Sequence, residues 1–298
     1  MTNTISHFDT YSFSSSQEVL SLLPQRPVRS NKGDFGRVLC ICGSYGMVGA
    51  AYLCAKAAYR TGAGLVEIFT HESNREILQT SLPEAIVTTY SDEYSKDDLL
   101  PLIERADCIV AGCGLGTGKL SKAIISDLLR MVDTQTTPLV LDADGLNIIS
   151  RSAVLLKYAQ GSIITPHPAE MSRLTGISAE SILDDPASTA LDFAKKHSLI
   201  CLLKDHETIV SDGSKRIYKN NTGNSGMATG GSGDVLSGIL GGIFAQSKRT
   251  NTSRTVLTAL GAYIHGKCGD IAAEEYGEYS LMASDIIEAL PKLLKTKS

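Results

Sequence analysis

Short runs of consecutive apolar residues alternate with longer amphipathic stretches along most of the chain. An uninterrupted apolar run is typical of a strand that is covered on both faces of a parallel sheet. These runs predict strands over residues 38–42, 65–70, 85–89, 108–111, 139–141, 162–165 and 200–204.

Between the strands, apolar residues recur at helical spacing. The longer helices predicted in this way cover residues 50–61, 97–105, 119–132, 188–197, 254–275 and 284–294. A hairpin around Asp212-Gly213 is expected to join strands over 208–211 and 216–219. Because strands and helices alternate, we predict an α/β fold with a mostly parallel central sheet and helices on both faces.

The first 31 residues differ from the rest, because they are polar and rich in serine. Ser15 and Glu18 have the spacing of a capping box for one short helix, which Pro24 and Pro27 end. No linker or internal repeat divides the remainder. We therefore predict an N-terminal arm over residues 1–31, with one short helix, and a single domain over residues 32–298.

Glycines, prolines and charged residues follow the predicted strands at their carboxyl ends. Ligands of open α/β sheets bind outside these ends, so the segments that follow the strands should meet in one site. The segments are GSYGMVG (43–49), GCGLG (112–116), DADGLN (142–147), PHPAE (166–170) and KDHET (204–208).

The stretch 220–246 joins a loop rich in Gly, Asn, Ser and Thr to an apolar helix. Such a loop directs backbone N–H groups and the positive end of the helix dipole at whatever lies in front, most often a phosphate. The N–H groups of Gly231, Ser232 and Gly233 are therefore candidates for an anion hole. Asp234 stands where a carboxylate would compete with phosphate, so we interpret it as a general base rather than a phosphate ligand.

Two further segments offer polar side chains with more than one interpretation. Glu170 could hold Mg²⁺ directly or through water, because Mg²⁺ takes few carboxylates and keeps most of its waters. His167 lies between two prolines and either touches ligand or is structural. Asp142 and Asp144 could hold a sugar hydroxyl or a magnesium-bound water, or Asp144 could cap the following helix.

Several function classes are disfavoured. Lys119 is followed by Leu120 where a Walker A motif needs Ser or Thr, and GCGLG alone is a weak dinucleotide fingerprint that could equally be a tight turn. Zinc-site spacings and a G-x-S-x-G elbow are absent from the sequence. The net charge of -4 gives no reason to expect nucleic acid or anionic membrane as a partner.

The composition also predicts a cytoplasmic protein, because no apolar run is long enough to span a bilayer and the polar N-terminus is unlike a signal peptide. The seven cysteines are scattered and lie mostly in apolar runs, so we expect buried, reduced thiols without a metal or redox role. Cys40 and Cys42 should share one face of a strand without forming a bridge.

Six motifs in order closely resemble those of the NAD(P)H-hydrate dehydratases, which have a ribokinase-like three-layer αβα fold. They are KGDFG (32–36), GSYGMVGAA (43–51), GCGLGT (112–117), LDADGLN (141–147), TPHPAEM (165–171) and TGNSGMATGGSGDVLSG (222–238). The resemblance covers about residues 15–295. Many bacterial members are fused behind a hydrate epimerase, and we expect none on this chain because only the arm precedes KGDFG.

The resemblance implies a repair reaction on the S-epimers of NADH hydrate and NADPH hydrate. ADP, or ATP in eukaryotic members, phosphorylates the ring hydroxyl, and loss of phosphate regenerates the reduced cofactor, leaving AMP when ADP is the donor. It also implies Mg²⁺, a homotetramer, and an epimerase partner on a separate chain.

The resemblance assigns site residues position by position. Those that would line the hydrate site are Ala50, Gly116, His167 and Asp234. Those that would contact the adenine nucleotide are Lys204, Asp205, His206, Glu207, Thr208 and Gly233. The family usually has Gly after the lysine of this stretch, so Asp205 departs from its pattern and could disturb a backbone contact to the nucleotide.

Two other functions are compatible with the same motifs. A ribokinase-like kinase of a small vitamin-precursor alcohol would share the Gly loop and the aspartate base, but would release a stable phosphorylated product. A non-catalytic nucleotide-binding module would have no use for Asp234 beside phosphate.

Overall fold

A ten-stranded sheet runs through the centre of the computed structural model, which describes residues 8–295. The predictions for residues 1–7 and 296–298 lie outside the described residues. The strands are β1 Asp9–Tyr11, β2 Arg37–Ile41, β3 Leu65–His71, β4 Ile86–Tyr90, β5 Cys108–Ala111, β6 Leu139–Leu141, β7 Ile163–Ile164, β8 Ile200–Leu203, β9 Ile209–Ser211 and β10 Arg216–Lys219.

The strand order is β1-β10-β9-β8-β7-β6-β5-β2-β3-β4, and only β9 is antiparallel to its neighbours. The helices are α1 Ser16–Ser21, α2 Val48–Arg60, α3 Arg75–Ser81, α4 Lys96–Glu104, α5 Lys119–Met131, α6 Asp144–Ile149, α7 Ala153–Tyr158, α8 Pro168–Thr175, α9 Ala179–Asp184, α10 Pro186–His197, α11 Ser232–Ala245, α12 Arg254–Tyr276 and α13 Ala283–Leu294.

The helices cover both faces of the sheet and bury two hydrophobic cores. Along β2, Val38 and Cys40 join the core formed with α2, α11, α12 and α13, whereas Leu39 and Ile41 join the opposite core, formed with α4, α5 and α10. Side chains alternate across a strand, so a continuous apolar run supplies both cores. The prediction of a mostly parallel, doubly covered sheet is confirmed, as is the expected shared face of Cys40 and Cys42.

The N-terminal arm contributes more than the predicted helix. Strand β1 pairs with β10 at one edge of the sheet, and Phe13 is buried against Tyr218 at a ring-centroid distance of 5.1 Å. The helix forms as expected, with Ser15 Oγ accepting from Glu18 N at 3.2 Å. However, the Glu18 carboxylate caps Ser14 N rather than the Ser15 N–H that a capping box uses. A three-residue strand leaves too short a pattern for sequence reasoning to detect.

Helices α2 and α11 approach each other to backbone contact. A Cβ on Gly238 would lie 2.1 Å from Cys54 O, and one on Gly242 would lie 2.7 Å from Ala58 O. Glycine at these two positions therefore sets the distance between the helices, which in turn sets the position of the first turn of α11. None of the helices between residues 8 and 295 is both long and apolar enough to cross a membrane.

We predict that Gly238→Ala lowers the free energy of unfolding by about 1–3 kcal/mol, because the added methyl group must push two packed backbones apart. Denaturant titration followed by circular dichroism measures the change. Gly49→Ala is the matched control, since this residue also lies in a helix but meets open space among the described residues, and alanine there should be neutral or stabilising. Equal effects at the two positions would contradict the packing argument.

Candidate active site

The carboxyl ends of five parallel strands lie side by side in the order β8-β7-β6-β5-β2. The five segments that follow these strands therefore meet at one edge of the sheet, as the sequence predicted. The first turn of α11 faces the same edge. A Cβ built on Gly233 would lie 3.4 Å from Lys204 Nζ, after β8, and 3.6 Å from Asp142 Oδ2, after β6.

A buried ion pair links the segments after β6, β7 and β8. Lys204 Nζ lies 2.8 Å from Asp142 Oδ1 and 3.8 Å from Glu170 Oε2. Both carboxylates are almost fully buried, and Asp142 Oδ2 accepts a further hydrogen bond from Ser237 Oγ of α11 at 2.8 Å. Burial lowers the pKa of Lys204, but Asp142 and Glu170 outweigh it and raise the pKa. The ammonium group is thus charged and held in place.

Asp142 and Asp144 do not extend β6 as neighbouring strand positions would. Ala143 between them has a positive φ of 49° and is the N-cap of α6, so the competing prediction that Asp144 caps this helix is wrong. Asp144 Oδ2 instead accepts the backbone N–H of Gly116 at 2.8 Å. This bond ties the turn at 112–116 to the start of α6.

His167 and Glu170 form the N-terminal cap of α8. His167 Nδ1 accepts from Ala169 N at 3.1 Å, and Glu170 Oε2 accepts from His167 N at 2.9 Å. The His167 ring is half exposed at the rim, and burial lowers its pKa. Glu170 Oε2 also lies 3.8 Å from Lys204 Nζ, and Oε1 lies 3.5 Å from His167 Nε2, so both carboxylate oxygens already have polar neighbours.

Asp234 is half-buried in the first turn of α11, close to the other carboxylates. Burial raises its pKa to about 6, and the negative charges of Asp142 and Asp144 act in the same direction. The thiol of Cys113 and the charge of Lys204 lower the pKa and offset part of this shift. A carboxyl group with such a pKa can accept and return a proton near neutral pH.

The backbone N–H groups at the start of α11 are not capped by a side chain of the described residues. Gly231 is the N-cap, with a left-handed φ of 92° that favours glycine. Ser232 Oγ is turned away from the N–H groups and hydrogen-bonds His265 Nε2 at 3.2 Å. Ser232 N donates a long hydrogen bond to Thr229 O at 3.4 Å, whereas the N–H groups of Gly231 and Gly233 have no such backbone partner outside the helix among the described residues and can bind an anion.

Sequence reasoning missed His265, which lies inside the long helix α12 without any motif around it. Burial lowers its pKa to about 4, so the ring beside Ser232 is neutral. Sequence reasoning also missed Cys113 as a neighbour of Asp234, because nothing in GCGLG indicates which way that side chain points.

The loop at 43–49 lies against the turn at 112–116. Gly43 N donates to Cys113 O at 2.8 Å, and Ser44 Oγ donates to Gly114 O at 2.9 Å. Ala50 is nearly buried beneath this turn, since a Cβ on Gly114 would lie 2.7 Å from Ala50 Cβ. Ala50 and Gly116 thus belong to one rigid wall of the site.

The predicted nucleotide stretch 204–208 divides into two parts. Lys204 points inward to the ion pair, whereas His206 and Glu207 are exposed at the surface. Asp205 Oδ2 lies 3.2 Å from His206 Nδ1, and Thr208 Oγ1 donates to Asp205 O at 3.3 Å, which closes a turn. Lys204 thus lies next to Gly233, whereas the turn formed by residues 205–208 lies at the rim of the site.

Several relatives match most of the chain. The bifunctional NAD(P)H-hydrate repair enzyme of Moorella thermoacetica is 38% identical over 92% of this chain and 52% of its own length. The ADP-dependent (S)-NAD(P)H-hydrate dehydratase of Neisseria meningitidis is 36% identical over 87% of this chain and 85% of its own length. The chain thus spans about half the length of the bifunctional relatives.

Several solved structures have the same fold. A ribokinase-like superfamily protein of Enterococcus faecalis superposes with a TM-score of 0.84 at 28% identity, covering 96% of this chain and 95% of its own. The ADP/ATP-dependent NAD(P)H-hydrate dehydratase of Bacillus subtilis, co-crystallised with ATP and Mg²⁺, superposes with a TM-score of 0.78 at 26% identity, covering 95% and 97%. The ribokinase-like fold expected from the motifs is confirmed.

A family model described as NAD(P)H-hydrate dehydratase matches residues 38–292, which include all five segments of the site. Family match, relatives and fold agree with the resemblance that the motifs carry. This chain belongs to the NAD(P)H-hydrate dehydratase family.

Proposed function

We propose that this protein dehydrates the S-epimers of NADH hydrate and NADPH hydrate, with ADP or ATP as the phosphoryl donor. The observation that carries the proposal is the first turn of α11, where N–H groups without a side-chain cap and a half-buried carboxylate of raised pKa stand side by side. This pairing provides an anion site and a base within one turn of helix. The relative from Neisseria meningitidis is named for the ADP-dependent reaction.

In this proposal the anion hole at Gly231, Ser232 and Gly233 holds the terminal phosphoryl group of the nucleotide. Charge that develops on the phosphoryl oxygens is met by N–H groups that are already oriented, so no reorganisation is needed during transfer. Lys204 Nζ, next to Gly233, adds a positive charge to the same region. Its ion pair with Asp142 keeps that charge in position.

Asp234 acts as the general base. It takes the proton of the ring hydroxyl while the hydroxyl oxygen attacks the terminal phosphorus, and the bond from phosphorus to the nucleotide breaks. AMP is the leaving product when ADP is the donor. The carbon–oxygen bond then breaks with departure of phosphate, and loss of a ring proton restores the double bond. Dehydration becomes easier because phosphate, rather than hydroxide, leaves.

The remaining assignments complete the two substrate sites. We place the hydrated ring against Ala50, Gly116 and His167, and the adenine nucleotide along residues 204–208. Mg²⁺ would bind the nucleotide phosphates, with Glu170 contacting it through water. When bound, the ion would neutralise phosphate charge.

We also propose a domain organisation and an assembly. Residues 32–298 form the catalytic domain and residues 1–31 an arm, the protein is a homotetramer, and its epimerase partner is a separate chain. Light scattering of the purified protein tests the tetramer.

Repair of NADH hydrate is the direct test of this function. The protein is incubated with NADH hydrate and either ADP or ATP, and the near-ultraviolet absorbance of NADH is followed. We expect absorbance to recover together with release of inorganic phosphate. No recovery with either nucleotide would refute the proposal. A stable phosphorylated product would instead support a small-molecule kinase.

We predict that Asp234→Asn lowers kcat by about 10²–10⁴-fold, the usual range for a lost general base. The same variant should gain stability at neutral pH. A carboxyl group whose pKa is raised on folding stabilises the fold below its unfolded pKa, and this contribution is lost as the pH rises through about 6. Asp192→Asn, on an exposed face of α10, is the control and should change neither property. Full activity of Asp234→Asn would exclude the base assignment.

The pH dependence of kcat/KM provides a separate prediction. Asp234 must be ionised to accept a proton, so kcat/KM should fall tenfold per pH unit below about pH 6. Initial rates at saturating ADP and low NADH hydrate, measured across this range in a constant-ionic-strength buffer, give the profile. A profile that is flat down to pH 4.5 would be incompatible with Asp234 as the base.

We predict that Lys204→Met destabilises the fold by about 3–5 kcal/mol, because it leaves the buried Asp142 charge uncompensated. Chemical denaturation measures this loss. The matched control is Lys219→Met, which removes an exposed pair with Glu207 of similar length, 2.7 Å, and should cost about 0–1 kcal/mol. If both variants lose equal stability, the ion pair at Lys204 is not the internal support described above.

A further inference from the structure

Three thiols converge beside α11, where Cys54 packs against Gly238, one turn after Asp234. Cys42 follows β2, Cys54 lies in α2, and Cys113 lies in the turn after β5. Their Sγ atoms all lie within 4.8 Å of one another, and all three residues are fully buried. Within residues 8–295 this is the only group of three or more His, Cys, Asp or Glu side chains whose ligand atoms lie this close together.

The spacing of the three sulfur atoms is close to that of a metal-thiolate site. A Zn–S bond length of about 2.3 Å in tetrahedral geometry places sulfur atoms roughly 3.8 Å apart. The thiols must therefore contract by at most about 1 Å to share one ion. Thiolate ligands select soft cations such as Zn²⁺ over Mg²⁺ or Ca²⁺.

The three thiols stand on rigid elements. The bond from Gly43 N to Cys113 O holds the ends of β2 and β5 together, and α2 is packed against α11 at backbone distance. A site formed by a packed helix and by residues that directly follow two paired strands needs little ordering when an ion binds. A fourth thiol, Cys40, lies 3.8 Å from Cys54 and could complete the coordination after a rotamer change.

We propose that Cys42, Cys54 and Cys113 form a binding site for one thiophilic divalent cation such as Zn²⁺, and that its occupation inhibits the enzyme. Lys204 lies close enough to Cys113 to balance part of the thiolate charge.

Inhibition follows from the charge that the ion and its thiolates place beside α11, where Cys54 packs against Gly238, one turn after Asp234. When the ion binds, the thiols release their protons. Three thiolates and one divalent ion also leave a net negative charge beside the base. The inhibitory effect rests on the proposed function of Asp234, whereas metal binding does not.

The binding test uses the full chain, reduced and freed of metal, titrated with Zn²⁺ against a chromophoric chelator. We expect one tightly bound Zn²⁺ per chain. Cys54→Ala should weaken binding more than about 100-fold, since loss of a supporting second-shell contact alone typically costs 10–100-fold. Cys201→Ala is the matched control, because Cys201 is equally buried but lies in the opposite core. This variant should bind Zn²⁺ as tightly as the wild-type protein.

X-ray absorption spectroscopy of the Zn²⁺-loaded wild-type protein identifies the metal ligands without any substitution. Sulfur neighbours at about 2.3 Å are expected. Coordination by nitrogen and oxygen alone, equal affinities of the two alanine variants, or loss of thiols to a disulfide without bound metal would each overturn the site.

Inhibition is measured as the ratio of dehydratase rates with and without Zn²⁺, for each protein against its own metal-free rate. We expect at least a tenfold loss in the unchanged protein and in Cys201→Ala, and a much smaller loss in Cys54→Ala. Tight binding with undiminished activity would overturn the inhibitory part. Failure of the proposed function would appear differently, as binding in a protein that has no dehydratase rate to inhibit.

Discussion

The contact between α2 and α11 is the constraint on which the site depends. Gly238 and Gly242 let the two helix backbones touch, and this places the first turn of α11 over the carboxyl ends of the central strands. Gly233 then lies beside Lys204 and Asp142, and Ser237 one turn later bonds Asp142. A wider separation of the helices would move the uncapped N–H groups and Asp234 away from the residues that surround them.

Charge is distributed unevenly around this turn. One ammonium group, Lys204, pairs with Asp142 and Glu170, while Asp144 accepts a backbone N–H. Asp234 has no ion pair with another residue between 8 and 295, and burial together with the nearby carboxylates raises its pKa. The carboxylates of Asp142, Asp144 and Glu170 thus have structural partners, whereas that of Asp234 has none of this kind.

The thiol cluster beside α11 connects the packing of the fold to the surroundings of Asp234. The Sγ atoms of Cys42, Cys54 and Cys113 lie within 4.8 Å of one another, and the Cys113 thiol lowers the pKa of Asp234. Sequence reasoning expected inert thiols, because residues 42, 54 and 113 have no metal-binding spacing; only the folded chain brings them together.

The sequence by itself determined the architecture and the edge of the sheet that carries the site. Apolar runs, helical periods and glycine-rich turns are local signals, and parallel strands bring their carboxyl ends together wherever such signals alternate. Asp234 could be identified as a candidate general base because it stands at a loop-to-helix junction. The pairing of Lys204 with Asp142, the neutral His265 beside Ser232, the strand β1 and the thiol cluster were decided only by the tertiary structure. These contacts join residues far apart in the chain, and their partners depend on side-chain direction and burial, which no local pattern encodes.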